Sequence, residues 1–322
     1  SGVSFIDLGD SRGIYGYLKL FWERVYALIS IIKKSDVVLI RMPGNISTLA
    51  VLLCILLRKS YHVEVVADPV EYFSSNVSKS RYRKIFQGIH VIAMKIALSR
   101  SKSVRYVTSQ YLQKLYPAKK GSTSFGFSDV YLEEKYHDNY KFRKGDVNIL
   151  SVAMMHDNSK GHRDMIDLIE SLNLDGGKFS LVCVGDGVLK SEFESYSSSL
   201  GLNQSIKFVG LKNSSEIREY MSECHIFLLA SYQEGMPRAL LEALSFGMPV
   251  VSSDVGGVYE VLPKKQLFPC GDIKIAKIII QDLIKEGLEG VSRKNLTISR
   301  QFIGSAIKKS YEGYFNFLKH LK

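Results

Sequence analysis

Between Ser231 and Gly257 the chain reads SYQEGMPRALLEALSFGMPVVSSDVGG, and two acids, Glu234 and Glu242, sit in a stretch made mostly of apolar residues, glycines and prolines. A buried carboxylate without partners is costly, so each of these must find hydrogen bonds. Pro237 suits the first position of a helix because it has no N–H to lose there, and Gly247 followed by Pro249 suits the helix end. Glu234 then lies in the loop before the helix and Glu242 inside it. Helical Cβ atoms tilt toward the N-terminus, so Glu242 leans back toward the mouth that Glu234 occupies. Two partners are open to Glu242. One is Arg238, one turn earlier, in the less favourable base-before-acid order. The other is the hydroxyls of a polyol ligand. The free N–H groups and positive dipole at the helix start attract phosphate. Hydroxyls together with phosphate describe a nucleotide-sugar.

The elements that must position these residues are legible around them. Val147–Met154 is an apolar run fit for a buried parallel strand, followed by a helical stretch from Gly161 to Leu174. A strand followed by a glycine turn is expected over 179–187 and strands at 205–210, 225–231 and 249–254, with helices between them. That alternation implies a parallel sheet covered by helices on both faces, with ligands taken at its C-terminal edge. The first half repeats the pattern less cleanly: strand and turn over 35–44 and over 61–69, a strand at 103–109, helices at 45–57 and 79–100. Leu132–Asp146 is polar and charged and reads as a linker. The last stretch, from Ile303, has aromatic residues and leucine at helical spacing.

The 322 residues, 46% of them hydrophobic, are enough for two domains with separate cores. The longest apolar run, Leu49–Leu57, is too short to span a bilayer and suits a buried helix. Cys54, Cys183, Cys224 and Cys270 have apolar neighbours and no metal-ligand spacing, which reads as buried thiols in a reducing compartment. The net charge of +11 is lopsided: residues 1–146 hold 23 Lys and Arg against 12 Asp and Glu, and the remainder holds 20 of each. Basic patches at Lys79–Lys84 and Arg100–Arg105 favour phosphate or an anionic membrane surface, with solvated helix faces as the plainer alternative. No module for nucleic acid accompanies them, so nucleic acid is not expected as a partner.

The stretch around the two glutamates resembles the signature of retaining glycosyltransferases of family 4. Ser231, Glu234, Gly235, Pro237, Glu242, Ala243, Gly247, Pro249, Gly256, Gly257 and Glu260 follow that family's order, as do Lys160–Gly161, Gly185–Asp186–Gly187 and Gly210. The resemblance is dense from Val147 to Leu262 and weaker before it, where VVADP and RYVTSQYLQKLYP look like a subgroup that builds bacterial surface polysaccharides. It implies an α/β protein of the GT-B fold, with two Rossmann-like domains facing a cleft. An acceptor-side domain over 1–140, a donor-side domain over 147–300 and a terminal helix over 301–322 packing back on the first are expected. The family's first βα unit is not visible before Ser1, so the acceptor-side domain reads as incomplete at its start.

By the same resemblance Glu234 holds hydroxyls of the donor sugar, Glu242 the ribose, and Lys160 neutralises the diphosphate. The amides of Gly235 and Met236 lie near sugar and phosphate, Gly185 and Gly210 flank the nucleotide, and Asp68 faces the cleft from the acceptor side. The donor is a UDP- or GDP-linked sugar, the acceptor a saccharide or lipid-linked saccharide, with no cofactor and no metal. The basic first domain and the terminal helix add the expectation that the chain works in the cytoplasm, peripheral on the inner face of the membrane. Family members commonly carry an arginine five residues before the lysine; here that residue is Met155, with Arg163 or His162 as candidate substitutes. The alternatives are a nucleotide-sugar-binding subunit that has lost catalysis, and a GT-B epimerase.

Overall fold

Short apolar runs alternating with amphipathic segments can bury both kinds of surface by placing parallel strands in the middle and helices on the faces. The computed structural model, which describes residues 5–6, 13–74, 77, 80–132 and 145–320, does this twice. In chain order the first set is α1 (Gly13–Lys34), β1 (Leu39–Met42), α2 (Asn45–Leu56), β2 (His62–Val65), α3 (Pro69–Tyr72), α4 (Arg83–Arg100), β3 (Ser103–Tyr106), α5 (Tyr111–Leu115) and β4 (Thr123–Gly126). The second set is β5 (Val147–Val152), α6 (His162–Leu174), β6 (Phe179–Val184), α7 (Lys190–Ser199), β7 (Ile206–Gly210), α8 (Ser214–Glu223), β8 (Ile226–Leu229), α9 (Arg238–Ser245), β9 (Val250–Ser253) and β10 (Leu267–Phe268). Helices α10 (Ile273–Glu286), α11 (Leu288–Ser299) and α12 (Gly304–Lys319) close the chain.

The first sheet has the order β1-β2-β3-β4 and the second β10-β9-β8-β5-β6-β7, with every described strand pair parallel. Each sheet has its own core. In the first, Val63, Val65 and Val104 are completely buried; in the second, Ile149, Leu150, Ile226 and Phe227 are. Each of the expected strands forms, shorter than its expected span and mostly at the end that runs into a turn, as in β2 and β6. Pro237 stands just outside α9 as its cap residue, and Gly247 ends the helix with φ 77°, a left-handed conformation that favours glycine.

Two expectations are corrected. The helix over Leu49–Leu57 is only half inside: Val51, Leu53 and Cys54 are buried, whereas Leu52 and Leu56 face outward. Cys270 is exposed, unlike the other three thiols. The interior of the expected linker, residues 133–144, lies outside the described residues, as does Lys79 of the first basic patch.

Helix α12 lies against the first sheet through a buried cation. Arg105 on β3 sits directly beside Glu64 on β2 and pairs with it. Its guanidinium stacks over the rings of Phe127 and Tyr311, 4.4 and 4.8 Å from their centroids, and donates to the Tyr311 hydroxyl at 3.0 Å. Tyr314 adds an edge contact to Phe125 at 5.0 Å. Removing Arg105 takes away this pairing and both ring contacts, and leaves Glu64 only the exposed Arg41 at 3.1 Å. Arg105→Ala is therefore expected to lower stability by about 1–3 kcal/mol in denaturant titration, and to expose α12 to hydrogen exchange. A loss under about 1 kcal/mol would contradict this role for Arg105.

Candidate functional site

Strand order locates the site. β5 and β8 are neighbours, with Ile149 beside Ile226, yet the chain runs from β5 toward β6 and from β8 toward β9 on the opposite side. Loops leaving the carboxyl ends of these two strands diverge, and the gap between them is where an open α/β sheet receives a ligand. The loop after β5 carries Lys160 and the loop after β8 carries Glu234.

Gly161 lets the two loops touch. It has φ 66°, and a Cβ there would stand 2.1 Å from the carbonyl oxygen of Ala230, just past the end of β8. The N–H of Tyr232 donates to the carbonyl of Ser159 at 2.7 Å. With the backbones this close, Lys160 Nζ reaches Glu234 Oε1 at 2.7 Å, although the residues are 74 apart in sequence. Both side chains are mostly covered but open to the gap, at 27% and 11% exposure.

Gly185 and Gly210 lie side by side at the ends of β6 and β7, the N–H of Gly185 donating to the Gly210 carbonyl at 2.9 Å. A Cβ at Gly185 would meet the Ala153 carbonyl oxygen at 2.0 Å. Lys190 Nζ stands 3.8 Å from where a Cβ on Gly210 would be, a cation that the sequence reading did not single out. Met155 is completely buried in the core of the second lobe, so the place of the expected arginine is filled by packing. Neither candidate substitute replaces it. Arg163 lies over the ring of Tyr196 at 3.9 Å and beside Glu192 at 3.8 Å. His162 is buried against Phe193, its Nδ1 lacks a hydrogen-bond partner, and burial pushes its pKa down to about 4, leaving the ring uncharged at neutral pH.

Of the two ways to satisfy Glu242, the structure has the protein one: Arg238 Nε donates to its Oε1 at 2.8 Å. The exposed Arg238 covers a carboxylate that is one-fifth exposed. The reversed order weakens such a pair without preventing it.

Asp68 does not present an open carboxylate. It is buried, caps α3 by accepting from the Val70 N–H at 2.8 Å, and accepts from the Tyr116 hydroxyl at 2.6 Å. The first-lobe acid at the gap is Glu71, three residues on. It accepts from the Tyr111 hydroxyl at 2.6 Å and, across the gap, from the backbone N–H groups of Gly256 at 3.2 Å and Glu234 at 3.3 Å. Burial raises its pKa above the ordinary glutamate value, and the hydrogen bonds it accepts oppose that shift. Sequence reasoning missed Glu71, yet PVEYF has the same anomaly that marked Glu234, an acid in an apolar stretch after a strand and turn.

Glu260 makes the reverse crossing. Its carboxylate accepts from the N–H groups of Ser109, Gln110 and Tyr111 in the first lobe at 2.7, 3.0 and 2.5 Å. Gly235 and Met236 lie at the contact itself: a Cβ on Gly235 would meet the Val66 carbonyl oxygen at 2.1 Å, and Met236 is buried. Among the described residues no group of three His, Cys, Asp or Glu could hold a metal ion, and no helix is long and apolar enough to cross a membrane.

The sequence model of the family described as glycosyl transferases group 1 matches residues 133–297, just over half of the chain. Protein CapJ of Staphylococcus aureus is 28% identical over 304 residues, covering 89% of this chain and 75% of CapJ. The amylovoran biosynthesis glycosyltransferase AmsK of Erwinia amylovora is 34% identical over 143 residues, 42% of this chain and 35% of AmsK. Among solved structures, Anabaena HepE in complex with UDP-glucose matches with a TM-score of 0.69 at 17% identity, covering 91% of this chain and 82% of that one. Likeness at that identity concerns the fold, which is GT-B.

Two measurements follow from this geometry. Gly235→Ala is expected to push the lobes apart and raise the radius of gyration in small-angle scattering, whereas Gly290→Ala, whose Cβ meets nothing, leaves it unchanged. Equal radii for the two variants would contradict the contact. His162 stays neutral in the fold down to about pH 4, while the unfolded chain takes up the proton near pH 6.5. Stability therefore falls as pH drops through that window. His162→Phe, which keeps a ring against Phe193, is expected to flatten that decline in urea titrations at a series of pH values, and an unchanged slope would refute it.

Proposed function

The chain belongs to the glycosyl transferases group 1 family, and from that premise we propose that it moves a sugar from a nucleotide-diphosphate sugar to a saccharide or lipid-linked saccharide acceptor, with retention, as family 4 enzymes do. The observation that carries this reading is the Lys160–Glu234 pair at the gap between the lobes. A cation and an acid held together at 2.7 Å are what a donor would take apart: the diphosphate takes the lysine and the sugar hydroxyls take the glutamate.

The chemistry suits these groups. Breaking the sugar–phosphate bond builds negative charge on the departing diphosphate, and Lys160 with the N-terminus of α9 stabilises it without a metal. Glu234 fixes the sugar. Gly185 and Gly210 leave a side-chain-free wall for the nucleotide, and Glu242 holds the ribose once Arg238 yields. Retention proceeds by attack from the face the phosphate leaves, so that phosphate takes the acceptor's proton. A double displacement would need two carboxylates about 5 Å apart flanking the bond, and Glu234 and Glu242 are not assigned that role. The acceptor-side unit comprises 1–140 with the helix over 301–322, and the donor-side unit 147–300. Glu71 replaces Asp68 as the acceptor-side acid.

HepE's complex supports UDP-glucose chemistry on this fold, and the amylovoran enzyme's name supports the synthesis of a bacterial surface polysaccharide. The basic first half supports work at an anionic membrane surface on its cytoplasmic side.

The test is turnover of labelled UDP- and GDP-sugars with a lipid-linked acceptor. Product is expected from the chain, with a loss of at least about 100-fold for Glu234→Ala and Lys160→Ala. Nucleotide binding without turnover would favour the decayed subunit, and conversion of the donor without acceptor would favour an epimerase.

A further inference from the structure

Helix α4 shows two faces where a core helix shows one. His90, Met94, Ala97 and Leu98 point into the first lobe. Tyr82, which caps the helix, and Ile85, Phe86, Ile89, Ile92 and Ile96 form a second stripe at helical spacing, and all six are exposed. Ile85 and Ile92 are about 60% exposed. The stripe faces away from the core; exposed Lys84 and Lys95 lie along one of its flanks, and exposed Arg81 precedes the helix. The neighbouring helix α2 adds exposed Leu52 and Leu56. No acidic residue occurs anywhere from Tyr72 to Ser128, 57 residues that carry eleven Lys and Arg.

We propose that this face of α4, with its α2 neighbour, is a docking surface for an anionic lipid bilayer, in which α4 lies in the plane of the interface with its isoleucines among the acyl chains and its lysines against the headgroups. The charge selects the occupant. An apolar stripe edged only by cations, within a segment that has no carboxylate, matches an anionic leaflet and is the composition of an interfacial helix. Phe86 belongs both to the stripe and to the wall of a cavity of about 430 Å³ that it shares with Tyr72, Phe73, Pro69 and Pro43. Tyr72 follows Glu71, the first-lobe acid at the gap. The docked face thus opens beside the acceptor side of the site. This function for the docking rests on the lipid-linked acceptor reading above. The docking itself is measured without donor or acceptor, so either can fail alone.

The experiment is co-sedimentation of the full chain with vesicles of phosphatidylcholine alone and of phosphatidylcholine with phosphatidylglycerol, at low and high salt. Binding is expected only where phosphatidylglycerol is present at low salt, with a fraction that persists at high salt because it is apolar. The variant Ile85→Ser/Ile89→Ser/Ile92→Ser is expected to bind about tenfold more weakly and to lose the salt-resistant fraction. Lys84→Glu/Lys95→Glu changes only exposed side chains, and is expected to lose the preference for phosphatidylglycerol. Circular dichroism melting confirms that each variant is folded. Absence of binding to either vesicle, or wild-type binding by both variants, would overturn the proposal. So would a dimer of the chain in sedimentation velocity that the serine variant dissolves while vesicle binding stays unchanged.

Discussion

Two carboxylates crossing a gap in opposite directions set the geometry on which the rest depends. Glu71 leaves the first lobe to accept from the amides of Glu234 and Gly256, and Glu260 leaves the second to accept from three successive amides at the start of α5. Charge-assisted bonds of this kind contribute more than neutral ones, about 1.5–3 kcal/mol each. They form only if the lobes come within hydrogen-bond reach along their backbones. That is why Gly235 faces the Val66 carbonyl with no side chain and Gly257 faces Thr108. The glycines near Glu234 therefore serve contact between the lobes.

The second lobe supplies a site whose charges satisfy one another. Lys160 and Glu234 come from the two strands at which the sheet order reverses, and each compensates the other. Glu242 and Arg238 do the same along one helix turn. Both pairs are partly open to solvent, where exchanging a partner costs far less than it would in a dry core. A site built this way keeps acids in an apolar setting without leaving an uncompensated charge. The acids among apolar residues thus find their partners in the protein itself.

What could be read beforehand followed how local each signal was. The strands of the second sheet and the limits of α9 came from apolar runs, Pro237 and Gly247, all within a few residues of the feature they specify. The close approach of Lys160 to Glu234 was not a local property. Gly161 reveals it only once Ala230 is seen against it. Asp68 caps α3 through Val70, which is local, but the bond that closes its carboxylate comes from Tyr116, 48 positions away. Glu71 was overlooked because its partners, Gly256 and Glu234, lie in the other lobe. Met155 stood out as a missing cation, and only its burial explains what occupies that place. In the first half, shorter strands and an outward apolar stripe on α4 blurred the periodicity that a buried helix would show.

The claim that most needs measurement is that Lys160 and Glu234 are held for a donor. A crystal structure of the chain soaked with UDP or GDP and the matching intact nucleotide-sugar tests it directly. The account predicts a diphosphate on Lys160 and a sugar hydroxyl on Glu234 in the gap between β5 and β8, with the lysine–glutamate contact broken. A nucleotide seated elsewhere, or one in the gap with that contact intact, would contradict it.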